Sequence, residues 1–512
     1  MSDDEQGPMT LAINDSQMDL QVIRFTGHEA LNQPYRFDVD LIVRHPESDC
    51  AALRGCSAWL AFGLAPHGIH GQISEARCVH TGDGLSLYRV SLMPDLQRLA
   101  SARPARTFTG LNVLQIISRL LADHGLHPPA YHFDRITGVY PARALCVQYQ
   151  ETDLHLLQRL CEEEGISFRF EHSADGHVLV FADDPASFPE LMASRAVPVL
   201  GDDPHHSRLG IHHFAEHLAL RPSYSSHARE PSSLMTQTSS VTMPSTQASA
   251  RTLERLRCER RLIKGASDHP ALVTGQIMRV TEHPDRLMND QWLLTEIRHE
   301  GRQLGALKGA CPQDIAAVVC AMGEDRPQTC PSLLSGHTPK DSAGQTRARH
   351  YRNTFAVLPW AMPFRPSLLH PKPAITERHA ATLTLPHAYD VAGRLHLRFD
   401  WQSANVDEGG EGCWAMLCSA VDLPPTCTAV SVAFFDDDPD QPVICAAMPP
   451  ETAEPLKAGP LDSLPRESDA PLHLTPEERL NLTSHHPLTL RTARAVIEIT
   501  ADRLTFSSLN DG

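Results

Sequence analysis

Residues 146–171 read CVQYQETDLHLLQRLCEEEGISFRFE and contain a complete helix, with a signal at each end, followed by a strand. Thr152 or Asp153 is the predicted N-cap, because a side-chain oxygen there accepts a hydrogen bond from a free backbone N–H of the first turn. The helix is expected to run to Glu164, and Gly165 follows where a left-handed C-cap favours glycine. The alternating ISFRF that comes next predicts a strand. This stretch therefore indicates an α+β body.

Most of the remaining chain shows the period-two alternation of strands, for example residues 35–43 (YRFDVDLIV) and 85–92. One more amphipathic helix is predicted over residues 113–124, where apolar residues recur at i, i+3 and i+4. Residues 222–250 are rich in Ser, Thr and Pro and are interpreted as a long loop or an irregular edge. Short strands return between residues 383 and 443. We expect a large α+β body, then a small all-β domain, then a tail.

The tail repeats every eight residues between 472 and 506. Each unit has two apolar residues at i and i+2, which share one face of a strand, and a polar tetrad that turns the chain. Two such side chains do not offset the entropy of ordering eight residues, so the stripe must be buried against another copy or another chain. Glu498 interrupts the stripe, and a monomeric meander of hairpins is the alternative. The predicted stripe consists of Leu472, Leu474, Leu480, Leu482, Leu488, Leu490, Val496, Leu504 and Phe506.

Composition excludes several classes of protein. The 512 residues suffice for about three domains. The formal net charge of −17, from 45 basic and 62 acidic residues, argues against a partner nucleic acid. The start MSDDEQGPMT lacks the pattern of a secretory signal, and no run approaches the length of a membrane span. The thirteen cysteines form no CxxC pair, so we expect reduced, mostly buried thiols.

No catalytic constellation is found, because the chain has no GxSxG elbow, P-loop or GxGxxG. Acidic runs at 162–164 and 436–438 are interpreted as a helix end and a turn rather than acid–base pairs. Two histidines at i and i+4 would suit a metal only on a helix, and the residues between them lack the HExxH glutamate. We predict no catalytic residue, no cofactor and no metal, and positions in a surface loop for His205, His206, His212, His213 and His217.

Residues 146–171 resemble the hub region of VgrG proteins, the trimeric spike-tip proteins of type VI secretion systems. The family pattern is an aromatic-Glu-Thr-Asp start to a helix, a Glu-Glu-Gly-Ile end and an aromatic strand. Residues 351–373 also resemble the family's link from the hub to the next domain. The residues that carry the hub match are Tyr149, Glu151, Asp153, Glu163, Glu164, Gly165, Ile166, Phe168 and Phe170.

The small β domain resembles the OB-fold of the same family. Residues 390–401 (DVAGRLHLRFDW) keep its D-x-x-G-R-x-x-x-x-F-x-W core, and 434–442 (FFDDDPDQP) match its closing strand and turn. Residues 415–431 are shorter than the family's loop, and Asp437 stands where a glycine is usual, which implies an altered contact surface. The residues that carry this match are Gly393, Arg394, Phe399, Trp401 and Pro439.

The resemblance implies a mainly β fold in three parts. Residues 1–375 would form a phage-hub-like α+β region with two barrel-like subdomains, the second at roughly 190–310. Residues 376–448 would form an OB-fold spike base. Residues 449–512 would provide a linker and a short octad-repeat spike, wound with two other copies into an intertwined triple-stranded β-helix or prism in a homotrimer.

The resemblance also implies a non-enzymatic, mechanical function. A trimeric spike would dock on a hexameric, Hcp-like tube protein and on baseplate components, and it would puncture a target envelope to deliver effectors. A PAAR-type tip protein and non-covalently loaded cargo would be partners, with no fused effector domain. The protein would be assembled in the cytoplasm and exported without a cleaved signal. The alternatives are the hub of a phage-derived contractile injection particle and, in a different class, a stand-alone hydrolase.

Overall fold

The computed structural model describes residues 8–14, 18–44, 50–63, 67–82, 84–101, 105–191, 196–201, 208–218, 242–324, 350–384, 389–402, 412–418, 421, 423–424, 427–448, 488–491, 495–499 and 504–508. It consists of two compact units, Met1–Ala453 and Glu454–Gly512. Within the described ranges, none of the helices has the length and apolar character needed to cross a membrane. The predicted mainly β fold with an α+β body is confirmed.

A twelve-stranded sheet forms the centre of the body, which we define as residues 8–373. Its first half is antiparallel throughout and occurs where the alternation of the sequence predicted strands. One face of these strands supplies a continuous apolar cluster. The first half consists of β1 Thr10–Ile13, β2 Leu20–Ala30, β3 Arg36–Val43, β4 Ser57–Ala61, β5 Gly68–Thr81 and β6 Ser86–Met93.

The second half of this sheet consists of β12 Val197–Pro198, β13 Ile211–Leu218, β14 Arg261–Ser267, β15 Ile277–Thr281, β16 Gln291–Arg302 and β17 Tyr351–Pro359. The strand order is β1-β4-β5-β6-β3-β2-β16-β17-β14-β13, with β15 and β12 branching from β16. Because β2 pairs with β16, the two predicted barrel-like subdomains share one unbroken sheet. The second half also extends past the predicted limit near 310, since β17 is a body strand rather than part of the link.

A helical layer lies beside the first half of the sheet. Thr152, not Asp153, is the N-cap of the second helix and accepts from the His155 N–H at 3.1 Å. Gly165 ends that helix with φ of 69°, the left-handed conformation expected from the sequence. The apolar faces of both helices bury against the hairpin that follows. The layer consists of β7 Arg106–Phe108, α1 Val113–Asp123, β8 Tyr131–Phe133, β9 Cys146–Gln148, α2 Asp153–Glu164, β10 Ser167–Ser173 and β11 Gly176–Ala182.

Two further helices, α3 Thr242–Arg260 and α4 Pro312–Glu324, pack on the body. The prediction of a loop through residue 250 was therefore wrong from residue 242 onward. α3 is held by arginines, since Arg251 and Arg255 are both buried and donate to backbone carbonyls of α2. α4 covers Ile23, Ile42 and Leu87 of the sheet with Val318.

The predicted small β domain is a closed five-stranded barrel with its own apolar core. The order β18-β19-β20-β22-β21 closes through pairing of β21 with β18, and β20 runs parallel to β22. This is the Greek-key arrangement of an OB-fold. The barrel (residues 379–448) consists of β18 His379–Leu383, β19 Arg394–Phe399, β20 Cys413–Leu417, β21 Ala429–Phe434 and β22 Pro442–Met448.

In the second unit, β23 Leu488–Arg491, β24 Ala495–Ile499 and β25 Leu504–Ser508 pair antiparallel within one chain. The register aligns Leu488 with Ile499, and Ile499 with Leu504. Val496 is instead aligned with Arg491 and Ser507, and Glu498 with Thr489 and Thr505. Ile497 is aligned with Leu490 and Phe506, and Ile499 with Leu488 and Leu504. In this intrachain pairing, Ile497 and Ile499 of β24, rather than the predicted Val496, are therefore aligned with the leucines and the phenylalanine of the stripe. Winding with other copies stays a prediction, and Leu472, Leu474, Leu480 and Leu482 lie outside the described residues.

Three glycines of the body sheet each lie directly opposite a phenylalanine of the neighbouring strand. The pairs are Gly27 with Phe37, Gly265 with Phe355, and Gly301 with Phe25. In each pair the ring covers the glycine so closely that an added Cβ would overlap ring carbons. The missing side chain thus makes room for a buried aromatic ring in a strand where glycine would otherwise weaken the sheet.

Replacing Gly265 by alanine should lower the free energy of unfolding by about 1–3 kcal/mol, because the Cβ displaces the Phe355 ring from a close-packed core. Thermal and urea denaturation of the full chain would measure this change. Gly305→Ala is the matched control, since a Cβ there meets nothing within 4 Å. Equal unfolding midpoints for the two variants would contradict the prediction.

Candidate functional site: the joint between body and barrel

The body and the barrel meet at a contact that we call the joint. It is formed by residues 145–164 and 360–373 of the body and by residues 399–402 and 434–441 of the barrel. β9 lies at its centre. Cys146 is buried in the core of the helical layer, whereas Leu145 and Val147 are buried in the core of the barrel. Because side chains alternate along a strand, one short strand belongs to two cores.

Aromatic rings extend this contact. The Tyr149 ring of the body lies 5.9 Å from Trp401 and 5.5 Å from His379 of the barrel, both edge-on. Trp401 stacks on Phe399 with a centroid distance of 4.7 Å and an interplanar angle of 11°. Three residues predicted from the family motifs, Tyr149, Phe399 and Trp401, are thus brought together from two distant segments of the chain.

A lysine connects the link to the closing turn of the barrel. Lys372 Nζ lies 2.6 Å from Asp438 Oδ1 and 2.5 Å from Asp440 Oδ2. Asp440 Oδ1 accepts from the Val147 N–H at 2.6 Å, so the same carboxylate also holds β9. Burial keeps the pKa of Asp440 raised, whereas at Asp438 burial is outweighed by the hydrogen bond from Lys372 and the pKa is lowered. The predicted Pro439 is buried between the two carboxylates.

The turn that carries these carboxylates uses a left-handed backbone without glycine. Asp436 and Asp437 have φ of 56° and 60°. Asp437 is the position where a glycine is usual in the family pattern, and aspartate tolerates this region better than most residues with a Cβ. The Asp437 carbonyl accepts from the Ile375 N–H at 2.9 Å, so the turn still holds the end of the link.

A buried ion pair stiffens the segment between β9 and α2. Arg159 is 1% exposed and donates to Glu151 from Nη2 at 2.6 Å and from Nε at 3.1 Å. It also donates to the Val147 carbonyl at 3.3 Å and to Glu163 at 3.0 Å. Glu151 was predicted from the family motif, whereas Arg159 was not. The sequence did contain an indication of a buried charge at Arg159, because Arg159 lies in the predicted helix beside the apolar residues Leu156 and Leu160.

Asp153 is a second fully buried carboxylate of this segment. It accepts from Arg106 Nη2 at 3.0 Å, from Gln148 Nε2 at 2.7 Å and from His124 Nε2 at 2.7 Å. The carboxylate therefore ties β7, β9 and α1 to the first turn of α2. Its predicted place in the motif reflects this set of partners rather than helix capping.

The C-terminal end of α2 holds the link. Glu162 accepts from the backbone N–H groups of Leu369 and His370, each at 2.8 Å, and from His370 Nδ1 at 2.6 Å. Arg365 donates to the Gly165 carbonyl at 3.0 Å. The predicted Glu164 accepts from the neighbouring Arg143 at 2.7 Å. The acidic run thus binds the link and its surroundings, as a helix end rather than an acid–base pair.

Two motif residues of the barrel, Gly393 and Arg394, lie at its other end. Gly393 has φ of 73° in a tight turn before β19, where the Asp390 side chain accepts from Arg394 N and Nε, both at 2.8 Å. Since β19 runs from Arg394 to Phe399, this turn is one strand length away from the joint. These residues shape the barrel and do not contact the joint.

The described part of the histidine-rich stretch is a strand rather than the predicted surface loop. His213 and His217 lie on strand β13 rather than on a helix, so their positions are about 13 Å apart along the chain. His212 contacts Asp268 at 3.3 Å. His205 and His206 lie outside the described residues. In the part of the chain that the structure describes, no group of three or more His, Cys, Asp or Glu side chains is arranged to hold a metal ion.

Comparison with known families identifies the body. The family described as "Phage tail baseplate hub (GPD)" matches residues 28–305. Two curated relatives from Pseudomonas aeruginosa are named type VI secretion system spike proteins VgrG4b and VgrG5. Each is 33% identical to this chain in an alignment that covers 86% of this chain. The matches cover 56% and 57% of the two relatives, so the chain spans little more than half of their length.

A solved structure shows the same fold. It is the Escherichia coli c3393 protein, described as a component of the type VI secretion system with structural similarity to the T4 bacteriophage tail proteins gp27 and gp5. The alignment has a TM-score of 0.63 and 21% identity, and it covers 86% of this chain and all of that one. The arrangement of body and barrel is therefore shared with a known structure.

Replacing Arg159 by methionine should cost about 3–5 kcal/mol in free energy of unfolding, because it leaves the buried Glu151 carboxylate without its partner. The double variant Arg159→Met/Glu151→Leu should recover part of that loss, since both charges are removed together. Urea denaturation of the wild-type chain, of the single variants Arg159→Met and Glu151→Leu, and of the double variant gives the interaction energy directly. A double-variant loss equal to the sum of the single losses would show that the pair is not coupled.

Proposed function

Since the chain belongs to the phage tail baseplate hub family and is similar to VgrG spike proteins over most of its length, we propose that it is the trimeric spike of a type VI secretion system. In this proposal the body docks on the tube, the barrel forms the base of the spike, and the tail forms its narrow end. The role is mechanical, and the joint is the part of the chain through which force passes from the body to the spike.

The observation that carries the proposal is the construction of the joint. A spike pushed through a membrane must not bend where two domains meet, and a short polar linker would allow bending. Here the shared strand β9, the aromatic contact of Tyr149 with Trp401 and the Lys372 ion pairs connect the domains by three independent means. Close packing of this kind transmits displacement with little compression.

The body sheet supports docking on a hexameric tube protein. Its two halves, β1–β6 and β12–β17, are joined by the β2–β16 pairing. Three copies would present six such halves around one axis, which would match a sixfold ring. We infer that a hexameric, Hcp-like tube protein and baseplate components are the partners of this end.

The tail supports assembly of three chains. Its repeats offer apolar positions on short strands. Among the described residues, the three-stranded sheet has two edges without a partner strand, which is a hazard that pairing between chains would remove. A PAAR-type protein on the narrow end and effectors carried without a covalent link complete the proposal. The trimer would assemble in the cytoplasm and be exported without a cleaved signal.

A contractile injection particle of phage origin is the second candidate, because the matching family is described as a phage tail baseplate hub. The two candidates share the trimer and the joint, and they differ in the proteins that the body contacts. Purification of the tagged chain from cells that express the system distinguishes them. A type VI spike brings down secreted tube protein, whereas a particle hub brings down a complete tail.

Deletion of the gene should abolish export of the tube protein into the culture medium, because a tube without its tip is not assembled or fired. Immunoblotting of medium and cell fractions would measure this, with plasmid-borne wild type as the positive control. Unchanged export would remove the spike function.

Trp401→Ala tests the joint in the same assay, and Tyr389→Ala is its control, since Tyr389 is half-exposed at the end of the barrel away from the joint.

The full chain should have three times the mass of one chain in solution. A chain ending at residue 450 should form a weaker trimer, which dissociates at a higher protein concentration than the trimer of the full chain. Light scattering after size exclusion would measure both masses over a concentration series. A monomer for both chains would contradict the trimer and would favour a tail that pairs only with itself.

A further inference from the structure

Three histidines lie between the body sheet and the hairpin β10–β11. His70 comes from β5, His172 from the end of β10 and His177 from the start of β11, and we call them the histidine trio. The side chain of His177 is 5% exposed, and His70 as a residue is 7% exposed. The trio is therefore part of the contact by which the hairpin is held on the sheet.

Hydrogen bonds fix which ring nitrogen carries the proton in two of these residues. The Asp95 N–H donates to His177 Nε2 at 3.1 Å, so neutral His177 holds its proton on Nδ1. That nitrogen lies 3.1 Å from His70 Nδ1, which must accept. His70 then holds its proton on Nε2, 2.7 Å from the Ser57 hydroxyl oxygen. The chain of donors and acceptors closes only when both rings are neutral.

His172 is constrained in the same way. The backbone N–H of His70 donates to His172 Nδ1 at 3.3 Å, which leaves the proton of neutral His172 on Nε2. Nε2 is buried without a hydrogen-bond partner in the described structure. The Tyr35 ring meets the His172 ring edge-on at 4.9 Å, and the Tyr35 hydroxyl donates to the His70 carbonyl. A second proton on His172 would therefore break the bond from His70.

The charged groups around the trio do not offset the cost of a buried proton. Burial lowers the pKa of His172 to about 3, of His177 to about 4, and of His70 below its usual value. Acidic groups oppose this effect, and the nearest is Asp95 Oδ2, 3.7 Å from His177 Nε2. The charged groups that face the trio are Glu29 of β2, Asp95 and Arg98 of the turn after β6, and Asp175 of the hairpin turn.

We propose that the histidine trio is a pH-sensitive latch, which holds the hairpin β10–β11 on the body sheet while its rings are neutral and releases the hairpin when they are protonated. A proton on His177 removes the acceptor of the Asp95 N–H. A proton on His70 Nδ1 places two N–H groups against each other. The latch would keep the body rigid at neutral pH and loosen one layer of it in an acidic compartment. This inference does not depend on the proposed function.

The direction of the effect follows from proton binding. Histidines released with the hairpin titrate near pH 6.5, whereas in the closed contact their pKa is lower. The open form therefore binds more protons between these values. The latch is fully closed above about pH 6.5 and loses stability as the pH falls below it. At pH 5 His172 and His177 should each raise the open fraction by about 30-fold, and His70 should add to this in the same direction.

Hydrogen exchange of the full chain, read by mass spectrometry at pH 8 and pH 5 and corrected for intrinsic rates, tests the latch. Protection of residues 167–182 should fall at pH 5 by at least about 30-fold more than protection of α1, which contains no histidine. Unchanged protection of the hairpin would overturn the proposal. An equal loss in α1 and the hairpin would also overturn it, because that result is general acid unfolding.

His172→Asn separates the trio from other acid effects, because the asparagine Oδ1 can accept from the His70 N–H and does not titrate. This variant should lose about 30-fold of the pH response of the hairpin. His132→Asn is the control, since His132 is exposed on β8 in the same layer, and it should keep the whole response. A full response in His172→Asn would overturn the proposal. If that variant fails to fold, the comparison of the wild-type chain at two pH values remains decisive.

Discussion

The alternation of side chains along β9 is the constraint on which the rest of the molecule depends. Cys146 must face the helical layer, so Leu145 and Val147 must face the barrel, and a shift of one residue would exchange the cores that these side chains enter. The Asp440 carboxylate on the Val147 N–H and the Arg159 guanidinium on the Val147 carbonyl fix this register from both sides. Domain packing is thus set by three consecutive residues and their backbone partners.

The segment next to this strand contains buried charged side chains at positions where apolar side chains could also fill the core. Glu151, Asp153 and Arg159 are buried, and each has several partners with hydrogen-bond geometry. Buried ion pairs of this kind contribute little net stability, but they penalise every arrangement that leaves one partner alone. For a protein whose proposed task is to carry load, a single permitted geometry matters more than a large free energy of unfolding.

The sequence predicted those parts of the fold that carry local signals. The capping residues of α2, the amphipathic face of α1 and the strands of the barrel all follow from spacing within a few residues. α3 was missed because its register is set by Arg251 and Arg255 reaching carbonyls of α2, a contact that no local pattern reports. β17 was assigned to the link for a similar reason, since its partners β14 and β16 are 50 or more residues earlier. Motif residues that meet at the joint were predicted from the sequence, whereas the contacts of Arg159, Lys372 and the histidine trio are evident only from the fold.

The double membership of β9 also limits how such proteins can be assembled from parts. A barrel exchanged at the boundary near residue 376 would arrive without Leu145 and Val147, which complete its core although they precede it by more than 200 residues. A graft that transfers only the contiguous barrel would leave a cavity in the apolar core of the transferred barrel. It would also expose Leu145 and Val147 on the body that lost its barrel. Successful exchange of this barrel between members of the family therefore requires that both partners preserve one short strand in common.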